Sequence, residues 1–122
     1  MPIVDIELVV AANPVVGQGT ARALADAIGQ ALGAPAARVW VRLHRLDAAD
    51  YAENEVDNDV NALPVFVTIL HARPPGGEAR ADEMQTLAVA VAAVLGRPQE
   101  RVHVEYAAPG AGRIAFGGKL VQ

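Results

Sequence analysis

The chain contains no cysteine, so neither a disulfide framework nor a cysteine-ligated metal centre is available to it. Its three histidines, His44, His71 and His103, are far apart and in no recognised ligand spacing, which leaves no metal constellation. No run of about 18 apolar residues is present, so nothing reads as a membrane span, and no secretory signal opens the chain. Together these absences make a cytoplasmic protein with no membrane partner the expectation. Basic residues number 10 against 14 acidic ones, a net charge of -4. With no Lys/Arg cluster, that balance argues against nucleic acid as a partner. Glycine-rich phosphate motifs are also missing: Pro109-Gly110-Ala111-Gly112 lacks a following helix, and Gly117-Gly118 lies close to the last residue, so both read as turns. No cofactor or metal is expected.

What is present is a globular composition and an internal repeat. At 122 residues and 52% hydrophobic, the sequence suits one compact domain spanning residues 1–122. Apolar positions Ala21, Leu24, Ala25, Ile28 and Leu32 recur as Met84, Leu87, Ala88, Val91 and Leu95, each 63 residues later and with the three-and-four spacing of one helical face. Both helical patterns stop alike, at Gly33-Ala34-Pro35 and Gly96-Arg97-Pro98, where glycine can turn left-handed and proline cannot continue the helix. Arg38-Val39-Trp40-Val41 returns as Arg101-Val102-His103-Val104, and the opening strand Pro2 to Val10 returns as Pro64 to about Ala72 at an offset of 62. One residue is therefore inserted between strand and helix in the second copy.

Each copy reads strand, helix, strand, a right-handed β-α-β unit with parallel strands. The fold class is α/β, or α+β in some schemes: two pseudo-repeats, about 2–46 and 64–122, build a four-stranded mixed sheet with both helices on one face. Val65-Phe66-Val67-Thr68-Ile69-Leu70 is apolar on both sides, so the second face is expected to be apolar and to close on copies of the chain. Residues 47–63, with Asp47, Asp50, Glu53, Glu55, Asp57 and Asp59, read as a solvated acidic connector.

If Met1 is removed, Pro2 presents the chain's only secondary amine, at the head of an apolar strand. Internal proline nitrogens are amides and do not titrate, so this amine is the one proline that can move a proton. The Met-Pro start, the duplicated β-α-β unit, an arginine closing the second unit's first strand and the tail Gly112-Arg113-Ile114-Ala115-Phe116-Gly117-Gly118-Lys119-Leu120 together resemble the tautomerase superfamily. The similarity covers nearly the whole chain. It is to the members with two fused units, among them fused 4-oxalocrotonate tautomerases, the macrophage migration inhibitory factor and malonate semialdehyde decarboxylase.

This resemblance implies a homotrimer in which the terminal proline is the general base or acid and arginines hold a small carboxylate substrate. Pro2 matches the catalytic proline, while its counterpart Pro64 is peptide-bonded and cannot titrate. If the two units pair antiparallel through their first strands, Pro2 faces Leu70-His71-Ala72-Arg73. Arg73-Pro74 resembles the decarboxylase pattern Arg-Pro-Arg, but Pro75 stands in place of the second arginine. Either Arg73 or Arg80, just ahead of the second helix, is then the carboxylate clamp; guanidinium binds a carboxylate through two parallel hydrogen bonds. The arginine that 4-oxalocrotonate tautomerases carry in the last strand is replaced here by Trp40 and His103, which leaves a dicarboxylate substrate without a second clamp. His71 is placed near the proline, and Arg113 in the C-terminal turn is a candidate for a neighbouring subunit's site.

The reading is an isomerase that interconverts enol and keto forms of a small 2-oxo or 2-hydroxy-enoic acid, in the setting of aromatic compound degradation, with Pro2 as general base. Hydration, dehalogenation or decarboxylation with protonated Pro2 as acid is the enzymatic alternative, with Glu53 and Glu55 as possible water activators. A non-catalytic trimeric binding protein is the third. The Ile114 to Val121 tail is expected to form a strand or hairpin that pairs across subunits.

Overall fold

The structure, a computed structural model, describes residues 1–12 and 19–122. Strand β1 (Ile3–Val10) leads to helix α1 (Thr20–Leu32) and strand β2 (Trp40–Asp47); after the connector, β3 (Val65–Leu70), α2 (Gly77–Leu95) and β4 (Val102–Tyr106) repeat the order, and a hairpin β5 (Ala115–Phe116) and β6 (Lys119–Leu120) follows. The four longer strands form one sheet in the order β2-β1-β3-β4. β1 pairs parallel with β2 and β3 parallel with β4, while β1 and β3 run antiparallel at the centre. This is the architecture that two β-α-β units joined through their first strands must give.

The repeat is kept in the packing. Leu24 and Ile28 of α1, and Leu87 and Val91 of α2, are fully buried, on the inner side of the sheet with Val4, Ile6, Val65, Val67 and Ile69. Both helices end at a glycine with positive φ, Gly33 at 63° and Gly96 at 65°, a conformation that a side chain would strain. Among the described residues no helix is long and apolar enough to cross a membrane.

The other face of the sheet departs from expectation. Alternation places Asp5 and Glu7 of β1, Arg42 and His44 of β2, Thr68 of β3 and His103 and Glu105 of β4 on it among apolar residues such as Ile3, Trp40, Phe66 and Leu70, so it is mixed and not uniformly apolar. Arg42 binds Asp5 in bidentate fashion, Nε to Oδ1 at 2.6 Å and Nη2 to Oδ2 at 2.7 Å, and the Thr68 hydroxyl donates to Glu105 at 2.9 Å. The apolar reading came from β3 alone, where Phe66 and Leu70 are half-buried; the neighbouring strands fill this face with charges that pair across the ladder. Exposed apolar groups also lie at its β2 edge, where Trp40 stacks on Phe116 of the hairpin with ring centroids 5.0 Å apart.

The connector is shorter and more ordered than its composition suggests. β2 runs through Asp47, whose carboxylate caps the 3-10 turn Ala48–Asp50 by accepting the Ala49 N–H, and Asn58 donates to the carbonyls of Ala48 and Tyr51. Its end is tied to the sheet by two arginines: Arg97 donates to Leu63 O and Val9 O, and Arg101 to Ala62 O.

Candidate active site

Pro2 precedes β1, and its carbonyl accepts the Trp40 N–H at 3.1 Å, which fixes its backbone to the start of β2. On the opposite side, the antiparallel ladder ends at the pair Ile3–Leu70, so its continuation sets Pro2 against His71. Pro2 is buried. The backbone of His71 is held in turn: its carbonyl accepts the Gly110 N–H at 2.8 Å, and that of Ala72 accepts the Ala111 N–H at 3.0 Å. Gly110 is buried, and a Cβ there would lie 2.8 Å from Cε of Met1, 3.2 Å from Ile114 and 3.3 Å from Leu70. The loop after β4 is therefore packed tightly against the start of the chain. Burial, with a smaller effect from the Arg38 guanidinium, holds the terminal amine of Met1 below its ordinary value.

Around His71 lies a compact polar cluster. His71 Nε2 is 3.1 Å from Glu83 Oε2, and the same oxygen accepts a short hydrogen bond from the Tyr106 hydroxyl. The His71 and Glu83 side chains are only 14% and 17% exposed. The rings of His71 and Tyr106 lie 5.6 Å apart, and the Arg80 guanidinium sits 5.4 Å above the Tyr106 ring. Burial raises the Tyr106 phenol above its usual range, followed by its bond to the Glu83 carboxylate; Arg80 opposes the shift. Topology gathers these groups: Tyr106 neighbours Ile69 across β3–β4, on the side that faces α2, and Glu83 descends from the second turn of that helix.

Glu83 and Tyr106 were not singled out from the sequence. A signal existed for Glu83, which stands four residues before Leu87 and eight before Val91, on the stripe that α2 buries. An acidic residue on such a stripe needs a partner. Tyr106 ends an otherwise ordinary strand and carries no local signal.

The other candidates separate. Arg73 is exposed and makes no hydrogen bond or ion pair with any described residue. Arg80 is already engaged, its Nε donating to Pro75 O at 2.7 Å. Trp40 lies one strand from Pro2 but stacks on Phe116, and together with Ile3, Val39, Val41 and Arg42 these two rings line an open groove of about 560 Å³. Arg113 is exposed, its N–H donating to Gly110 O at 2.8 Å. His103 packs on Phe66 on the polar face, toward the far end of the sheet, and the chain does not bring it to Pro2. Glu53 is also at that far end, bound to Arg101 and to the Tyr51 hydroxyl, and held below the usual carboxylate range by Arg101 first and Tyr51 second. Within one chain it is not a water activator for Pro2. Among the described residues no group of three or more His, Asp or Glu is arranged to hold a metal ion.

No protein-family model and no curated protein matches the chain. Solved structures do. A fused 4-OT, determined as a symmetric trimer, superposes with a TM-score of 0.74 at 24% identity over 98% of this chain and 94% of its own. The macrophage migration inhibitory factor of Oncomelania hupensis gives 0.72 at 19% identity, covering 99% and 82%. A malonate semialdehyde decarboxylase inhibited by 3-bromopropiolate gives 0.68 at 16%, covering 94% and 88%. At these identities it is the arrangement of strands and helices that is shared, and the chain has the tautomerase-superfamily fold, in the form that carries two β-α-β units in one polypeptide.

Proposed function

We propose that the chain is a cofactor-independent tautomerase that moves a proton between oxygen and carbon of a small 2-oxo or 2-hydroxy-enoic acid. The Pro2 amine, freed by loss of Met1, is its general base. The observation that carries this reading is the placement of Pro2, buried at the head of a central strand and set against His71 by the ladder register. A secondary amine at this buried position loses hydration as a cation, which favours its neutral form. A neutral amine near pH 7 is a base; this supports isomerisation over the acid-catalysed hydratase or decarboxylase alternative.

The free guanidinium of Arg73, close beyond His71, suits a substrate carboxylate, and a positive charge there would stabilise an enolate developing beside it. Arg80, tied to Pro75 and Tyr106, fits a supporting role. A homotrimer is part of the proposal: the fused 4-OT above is a symmetric trimer, and Trp40, Phe116 and Leu120 expose apolar surface at one edge.

The test is ketonisation of phenylenolpyruvate and of 2-hydroxymuconate, followed spectrophotometrically, beside an intact mass. Activity in a chain lacking Met1, abolished in Pro2→Ala, supports the proposal. Equal activity of wild type and Pro2→Ala overturns it, and retained Met1 with no turnover points to a binding protein.

A further inference from the structure

We infer that His71 is a second acid–base residue, working at the oxygen end of the substrate, and that Glu83 is a positioning residue that fixes which ring nitrogen does the work. The inference rests on the tautomerase reading of Pro2. Glu83 Oε2 faces both the Tyr106 hydroxyl and His71 Nε2. An ionised carboxylate only accepts hydrogen bonds, so both neighbours must donate to it, and the His71 proton sits on Nε2. Nδ1 is then the nitrogen left for chemistry: an acceptor in neutral imidazole, a donor in the imidazolium. The ring is held on its other sides by Tyr106, with Arg80 stacked beyond, and its backbone is held by Gly110. The titratable and charged groups around it are thus Glu83 and Arg80 from α2, Tyr106 from β4, the Pro2 amine from β1 and Arg73 farther along its own loop.

In enolisation, neutral Pro2 takes the proton from the carbon next to the carbonyl, and the C–H electron pair becomes the C=C bond. The carbonyl π pair takes the Nδ1 proton of the His71 imidazolium and becomes the enol O–H. Pro2 ends protonated and His71 neutral, each regains its starting form by exchanging a proton with solvent, and ketonisation runs the same steps backwards from protonated Pro2 and neutral His71. A single base at Pro2 would otherwise have to reach both ends of the substrate.

Nitrogen NMR of labelled protein reads the tautomer without any turnover, and a neutral His71 protonated on Nε2 is expected. Glu83→Gln keeps the size but removes the charge. Without a carboxylate to hold its proton on Nε2, His71 should lose its single tautomer in the nitrogen spectrum, and kcat should fall about tenfold or more with KM little changed. His71→Gln should cost about a hundredfold in kcat. A neutral His71 protonated on Nδ1 in the wild type overturns the inference, as does a Glu83→Gln protein that melts earlier but keeps its kcat and its single tautomer. If Pro2→Ala is inactive while His71→Gln is fully active, the inference fails and the tautomerase reading stands. If Pro2→Ala is fully active, the reading itself fails.

Discussion

Pro2 and His71 each stand one residue past the Ile3–Leu70 pair at which the antiparallel β1–β3 ladder runs out. Neither sits in a motif with the other, and 69 positions of sequence separate them. The central antiparallel pairing makes them neighbours because the start of one first strand must lie beside the end of the other.

Replacing Pro2 by Ala leaves a primary amine at the terminus, with a different basicity and no ring. Ketonisation of phenylenolpyruvate should fall about a hundredfold or more in kcat. In the wild type, the reverse reaction, enolisation of phenylpyruvate, should rise with pH through one ionisation as Pro2 becomes neutral, since its buried position disfavours the cation. A rate that instead declines as pH rises through this range would assign Pro2 the acid role.

The two arginines should behave differently. Arg73→Ala removes a guanidinium that has no partner among the described residues, and carboxylate substrates should lose roughly ten- to a hundredfold in kcat/KM. Arg80→Ala should cost less in kcat/KM while lowering thermal stability slightly, because it loses the Pro75 contact and the stacking on Tyr106. Steady-state kinetics with melting curves for both variants decides, and the reverse order would place the carboxylate at Arg80.

Tyr106 should ionise late. Its phenol is raised by burial and by the Glu83 carboxylate, so ultraviolet titration should show it still protonated at about pH 10, where a free phenol is half ionised. The sign for stability follows: the unfolded chain releases this proton first, so the contribution is complete below the ordinary phenol value and is lost as pH rises through it toward the folded one. Tyr106→Phe should lack this part of the alkaline destabilisation, seen as a flatter urea midpoint above about pH 10.

Sedimentation or light scattering at micromolar concentration should give three times the 12.7 kDa chain mass. Phe116→Asp places a charge on the exposed apolar edge beside Trp40 and should shift the protein toward smaller species. A wild-type protein that is folded and monomeric would remove the trimer from the proposal.

The order strand, helix, strand, twice over, was legible in the sequence because it rests on local periodicity. Leu24 and Ile28 recur as Leu87 and Val91, all four are buried, and the glycines that end both helices take the left-handed backbone. A helix face and its stop depend on residues within a few turns of one another, and this chain states them twice. The polarity of the open sheet face was not legible from β3, since a strand's outer residues are answered by its neighbours, and Asp5 and Arg42 meet only after β1 and β2 pair. Likewise Pro2, His71 and the arginines could be named as candidates, but their division into a buried Pro2, a half-buried His71, an engaged Arg80 and an Arg73 without a partner among the described residues depends on the loops. Glu83 and Tyr106 lie 12 and 35 residues from His71, on a helix and a strand of their own. Tertiary structure alone assembled that cluster, because an imidazole and a phenol come to share one carboxylate oxygen only where the crossover helix lands on the sheet.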